Sequence, residues 1–174
     1  MVIRVNPKLI LIGGAPGIGK SSLARQLKKT FAKGVTLETD ELWGCINNVD
    51  WYNQEQHLVA LQQTFLLAES YFNLGFQPII VVDVFTNRSL VRTFELLEKH
   101  KTLKPYKIIS LFMDDSQLKD RVLSRGEGWK NLESCYYCNR EIQTQNTTNQ
   151  TLINIDGLDK ETLAKKVLPI IKKG

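Results

Sequence analysis

Eight consecutive residues, Gly14, Ala15, Pro16, Gly17, Ile18, Gly19, Lys20 and Ser21, stand at the spacing G-x-x-x-x-G-K-[ST], the pattern of a loop that cradles phosphate. Glycines let such a loop turn tightly and bring its backbone close to a ligand. Successive N–H groups then form a nest for anionic oxygens, to which Ser22 adds one at the start of the following helix. Lys20 supplies a mobile positive charge for the β- and γ-phosphates of a nucleotide. The Ser21 hydroxyl suits Mg²⁺, which keeps most of its waters and takes few protein ligands. The chemistry expected is the binding of nucleotide phosphates with Mg²⁺.

Other residue types extend that chemistry. Asp83 ends the apolar run Ile79-Ile80-Val81-Val82, the place of a strand-end carboxylate that holds Mg²⁺ directly or through water. Asp40 follows a short β-branched run, and transfer of phosphate to a hydroxyl needs a group that accepts or orients the hydroxyl's proton. Glu38 and Glu41 are weaker candidates for that role. Arg121 and Arg125 lie four apart, on one face of a helix, and guanidinium groups stack on bases or fork onto phosphate oxygens. Arg88 is a candidate for the acceptor side. Cys135 and Cys138 form C-x-x-C, but no second pair accompanies them, which argues against a zinc site. His57 and His100 are expected to have surface roles.

These residues need elements to hold them. Leu9 to Ile12 reads as a buried parallel strand, and the loop leads from it into a helix over about 19–32. That order puts bound phosphate at a helix N-terminus, where the dipole and unpaired N–H groups favour an anion. Val35 to Glu38 reads as a second strand, delivering Asp40 to the same sheet edge. Asn53 is a candidate N-cap, with Gln56 completing a capping box, for a helix buried through Leu58, Leu61, Phe65, Ala68 and Phe72 and ended by Gly75. Asn87 is expected to cap a helix after the Asp83 strand. Tyr106 to Phe112 is a fourth strand, Ser116 to Ser124 a helix, and Leu152 to Ile155 a fifth strand. The last helix starts near Asp159, and Pro169 is expected to end or bend it. Between them the pattern changes over 126–151: Gly126-Glu127-Gly128 is flexible, 139–151 is almost wholly polar apart from Ile142, and the region reads as a mobile excursion, part helix and part loop. Strands alternating with helices imply a parallel sheet covered on both faces.

Composition narrows the class. The 174 residues carry 23 Lys and Arg against 18 Asp and Glu, and part of the excess lies in Lys165, Lys166, Lys172 and Lys173. No basic stripe is interleaved with aromatics, so nucleic acid is not the expected partner. No apolar stretch approaches membrane-spanning length, the opening residues 1–4 do not read as a signal peptide, and three cysteines do not suggest a disulfide framework. The expectation is one cytoplasmic domain over 1–174.

The phosphate loop, the Asp40 turn, the Ile80-Val81-Val82-Asp83 strand and Arg121-Val122-Leu123-Ser124-Arg125 together resemble the P-loop kinases of the nucleoside monophosphate kinase-like group. That group includes adenylate, shikimate and gluconate kinases, chloramphenicol phosphotransferase and zeta-type toxins. The resemblance implies a three-layer α/β fold with a five-stranded parallel sheet in the order 2-3-1-4-5, and a lid at about 126–150. It implies that Arg121 stacks on adenine, that Arg125 reaches the transferring phosphate, and that the Asp156-Gly157 turn lies near the adenine. Asp40 matches the acceptor-side acidic position. The residues after Asp83, Val84-Phe85-Thr86-Asn87-Arg88, depart from the Asp-Gly-Phe-Pro-Arg of adenylate kinases, and the triple glycine of shikimate kinases is absent. Trp43, Trp51, Tyr52 and Phe85 offer walls for an acceptor with an apolar or ring-shaped part. The leading expectation is an ATP- and Mg²⁺-dependent phosphotransferase acting on a hydroxyl of a small molecule. The alternatives are a P-loop ATPase or nucleotide-binding regulatory protein, and a polynucleotide kinase-like protein.

Overall fold

The computed structural model describes residues 7–172; the opening residues 1–4 and Lys173, weighed above, lie outside them. Five strands form one parallel sheet: β1 (Leu9–Gly14), β2 (Val35–Glu38), β3 (Ile79–Val82), β4 (Tyr106–Phe112) and β5 (Gln150–Asn154). Their order is β2-β3-β1-β4-β5, the one the resemblance implies. β1 is central and wholly buried. Its register sets Ile12 beside Val82 on one side and Ile109 on the other, so the phosphate loop and Asp83 leave the sheet at the same edge. Glu38 pairs with Val82, which brings the end of β2 to that edge too.

Alternation along β1 divides the core in two, because successive side chains of a strand point to opposite faces. Ile10 and Ile12 pack with α1 (Lys20–Lys28), α5 (Asp115–Ser124), α6 (Leu132–Gln143) and α7 (Lys160–Lys172), through Leu23, Leu27, Val122, Cys135 and Val167. Leu9 and Leu11 pack with α3 (Gln54–Asn73) and α4 (Asn87–Lys99), through Leu61, Phe65, Leu90 and Leu97. A short helix, α2 (Thr39–Trp43), follows β2 directly. Among the described residues, no helix is long and apolar enough to cross a membrane.

Several local expectations change in detail. Asn53 does cap α3, its Oδ1 accepting from the N–H groups of Glu55 and Gln56. Gln56 does not return the bond to Asn53: its Oε1 accepts from the Asp50 N–H at 2.9 Å and the Trp43 indole at 3.5 Å, tying the 44–53 segment to α2 and α3. Thr86 rather than Asn87 occupies the N-cap of α4. Pro169 neither ends nor replaces the last turn; α7 continues to Lys172 with the proline on its exposed side.

The region 126–151, read as part helix and part loop, is both. Its middle is α6, a helix of the core. Asn139 and Gln145 are buried because they satisfy backbone groups that would otherwise stand alone. The Asn139 Nδ2 donates to the Met113 carbonyl and its Oδ1 accepts from the Met113 N–H, while Gln145 donates to the Phe85 carbonyl. Only 126–131 remains as an exposed connection between α5 and α6.

Candidate functional site

A cleft of about 1370 Å³ opens at the strand ends. The loop 16–22 forms its floor, with Glu38, Asp40, His57 and Asp83 on one side and Arg121, Arg125 and the start of α7 on the other. Residues separated by most of the chain meet here because a parallel sheet sends every strand's C-terminal end to one edge.

The loop is shaped by contacts a side chain would not allow. Gly17 has φ +85°, and a Cβ there would lie 2.5 Å from Val122 Cγ2. α5 therefore packs directly on the loop. Lys20 Nζ curls back over it, donating to the Gly14 carbonyl at 2.9 Å and the Ala15 carbonyl at 3.1 Å. Burial pushes the Lys20 ammonium below the usual lysine range, while the charges of Asp40 and Asp83 pull it back up.

Ser21 Oγ donates to Glu38 Oε2 at 2.5 Å. A hydroxyl and a carboxylate side by side are hard oxygen donors of the kind Mg²⁺ accepts, in the small number it takes from protein when a substrate's phosphates supply the rest. Glu38 thus joins Ser21 as a candidate metal residue, a role that its place at a strand end did not by itself reveal.

Asp83 is 3 % exposed and heavily engaged. Its Oδ1 accepts from the Val84 N–H at 2.7 Å, and His57 Nε2 donates to it at 2.9 and 3.2 Å. His57 is therefore no surface residue: it is buried at the first turn of α3, its ring 4.9 Å from that of Trp43. Burial would lower its pKa, but the charge and hydrogen bond of Asp83 outweigh that, and the net shift is upward. The sequence signal was there: His57 is spaced three, four, seven and eleven residues before Ala60, Leu61, Thr64 and Ala68, which all face the core.

Asp40 sits in the first turn of α2. Its side chain reaches solvent, yet it stands low in the cleft. Desolvation there, and then the negative charge of Asp83, push its carboxyl above the usual range, with Lys20 opposing. That is the direction a general base needs to work nearer neutral pH.

On the opposite side, Arg121 bridges two elements, donating to the Ile18 carbonyl and to the Leu158 carbonyl, each at 3.0 Å. Arg125 Nε donates to the Glu127 carbonyl, and the guanidinium lies against Gly128, where a Cβ would come within 1.8 Å of it. Asp156 is not in this cleft. It accepts from the Asp114 N–H at 2.8 Å and lines a separate, smaller cavity; Leu158, Asp159 and Lys160 line the cleft in its place.

Of the four aromatic residues expected as walls, Trp43, Trp51 and Tyr52 line the cleft. Phe85 does not, being wholly buried in the core beneath α4. Trp129 takes its place, from the 126–131 connection, with its ring 4.9 Å from that of Tyr52. Arg88 is exposed and is not among the residues that line the cleft. Cys138 reaches the cleft wall, and burial pushes its thiol up to about 11. Among the described residues, no group of three or more His, Cys, Asp or Glu side chains is placed to hold a metal ion by itself.

No family model matches the chain, and no curated protein matches it. Solved structures do. A gluconokinase from Sinorhizobium meliloti 1021 aligns with TM-score 0.67 at 16% identity, covering 98% of this chain and 94% of its own. The tunicamycin resistance protein of Deinococcus radiodurans aligns with TM-score 0.69 at 17% identity, over 92% and 93%. A sugar kinase from Janibacter sp. HTCC2649 aligns with TM-score 0.69 at 15% identity, over 93% and 92%. The fold is that of the P-loop kinases of the nucleoside monophosphate kinase-like group.

Proposed function

We propose that this chain, built on the P-loop kinase fold, moves the γ-phosphate of ATP to a hydroxyl of a small molecule. The observation that carries the reading is the convergence of Lys20, the Ser21–Glu38 pair and Asp40 in one cleft. The N–H groups of the loop 14–22 hold the phosphates. Lys20 leaves the loop carbonyls for the β- and γ-phosphate oxygens, and Arg125 approaches the transferring group from the α5 side. Arg121, beside Leu158 and Asp159, borders the base. Mg²⁺ would be held by Ser21 with Glu38, and Asp83 would act on its coordinated waters; when bound, the ion neutralises charge on the phosphates.

The transfer balances as follows. The acceptor oxygen forms a bond to the γ-phosphorus while the bond from that phosphorus to the β–γ bridging oxygen breaks. ADP leaves with the bridging oxygen and its electron pair. The acceptor's proton passes to the Asp40 carboxylate, whose raised pKa suits it to take that proton.

The test is ATP consumption across a panel of hydroxyl compounds, with Lys20→Ala as control. ADP formation that depends on an added acceptor and disappears in the control supports the reading. ADP formation at one rate whatever is added favours a plain ATPase or regulatory switch instead.

A further inference from the structure

The wall of the cleft nearest Asp40 carries a pattern that phosphotransfer alone does not require. It is built from the end of β2, α2, the segment 44–53, the first turn of α3 and the end of β3. Its charged side chains in the cleft are Glu38, Asp40 and Asp83, and its one cationic candidate, His57, is paired with Asp83. No Lys or Arg of these elements lines the cleft. Arg92, on α4 behind His57, instead donates to the Gln54 carbonyl at 3.2 Å. The lysines and arginines that do line it come from the loop, α1, α5, the 126–131 connection and α7.

The same wall is aromatic. Trp51 and Tyr52 are 42% and 68% exposed, and the Trp51 ring lies tilted against that of Trp43, 5.1 Å away. Tyr52 meets Trp129 across the cleft.

We infer that the acceptor is a ring compound bearing a hydroxyl and carrying no phosphate or carboxylate, seated between Trp51, Tyr52 and Trp129. The inference rests on the phosphotransfer reading and narrows it. Flat or apolar ring faces pack on indole and phenol rings. An anionic acceptor would enter beside Glu38 and Asp40, with Asp83 already paired with His57 and no arginine or lysine of that wall to meet it, and like charges brought together reject a wrong partner. Lys130, next to Trp129, is exposed and belongs to the opposite wall.

Matched pairs that differ in charge test this: thymidine against thymidine 5′-monophosphate, glucose against glucuronate, and phenyl β-glucoside against phenyl β-glucuronide. Each is followed by acceptor-dependent ADP formation and, independently of turnover, by intrinsic tryptophan fluorescence. The uncharged member should be favoured by at least about tenfold, with phenyl glucoside ahead of glucose. Tyr52→Ala and Trp129→Ala should each weaken acceptor binding by about tenfold and change the ATP Kd less. Lys130→Ala should leave the charge preference as it is. Preference for the anionic members, equal response to both, or no response to any uncharged ring compound overturns the inference. Failure to bind ATP in the same protein removes the phosphotransfer reading itself, and so is told apart.

Discussion

His57 Nε2 lies 2.9 Å from Asp83 Oδ2, so the first turn of α3 is fastened to the carboxylate that ends β3. The two side chains are 9% and 1% exposed. Breaking a buried pair by removing one partner strands the other charge, at a cost of about 3 kcal/mol or more.

This pair should make stability depend on pH. His57 titrates above its ordinary value of 6.5 in the folded protein, so folding favours its protonated form. Its contribution is complete below the unfolded pKa, near 6.5, and is lost as pH rises through the higher folded value. Urea unfolding at several pH values from 6 upward should show that decline. His57→Gln should be less stable than the native chain at pH 6, with the gap narrowing as pH rises. A gap that stays constant with pH would mean that His57 is not charged in the fold.

Lys20→Ala should keep the fold and lose phosphoryl transfer by about 10²- to 10³-fold, the usual effect of removing one preorganised charge from a transition state. Circular dichroism and turnover measured side by side separate the two effects. Full turnover in this variant would refute the proposed function.

Asp40→Asn should cut turnover by about 10²- to 10⁴-fold while nucleotide affinity stays near normal. Because the Asp40 carboxyl is raised above 3.8, the acid limb of the native kcat profile should lie above that value, and the substitution should erase it. An unaltered acid limb would assign proton transfer elsewhere, with Glu41 the next residue to try.

Glu38→Gln should raise the Mg²⁺ concentration needed for half-maximal nucleotide binding, since it removes a charged oxygen donor beside Ser21. Asp83→Asn should change the Mg²⁺ requirement less and unfolding more, because it also uncouples His57. Isothermal titration across Mg²⁺ concentrations distinguishes them; equal metal responses would leave Glu38 as a hydrogen-bond partner of Ser21 only.

Amide exchange should be slow across α6 and fast across 126–131, and a non-hydrolysable ATP analogue should slow the second segment. Contacts of Arg125 with Gly17 and Gly128 give nucleotide a means to order that connection. Fast exchange through α6 would restore the reading of the whole polar region as mobile.

The elements that lie in one continuous stretch were legible: the turn from β1 into α1 by the spacing of Gly14 to Ser21, and the end of β3 by the four buried residues before Asp83. The pairings across the fold were not. Nothing in the residues around His57 names Asp83 as its partner, 26 positions on, and an apolar stripe drawn through Leu58 and Phe72 passes over the histidine on the inward face. Composition does not show how 126–151 packs, for a related reason. Polar residues there do not seek water; Asn139 and Gln145 satisfy carbonyls and an N–H of neighbouring strand ends, which only the folded chain brings near. Phe85 was placed on the cleft by its closeness in sequence to Asp83, but the chain turns at φ +50° there and the ring enters the core.

The aromatic contacts also link two binding events. Trp51 rests on Trp43 at 5.1 Å, Trp43 on His57 at 4.9 Å, and His57 on Asp83. A compound pressing on Trp51 and a nucleotide seated near Asp83 therefore touch opposite ends of one row of rings. Any coupling along it must be reciprocal: the factor by which the first ligand tightens the second equals the factor by which the second tightens the first. A hydroxyl compound that shifts the titration of His57 would thereby be marked as one whose own affinity for the protein varies with pH, before any phosphate has moved.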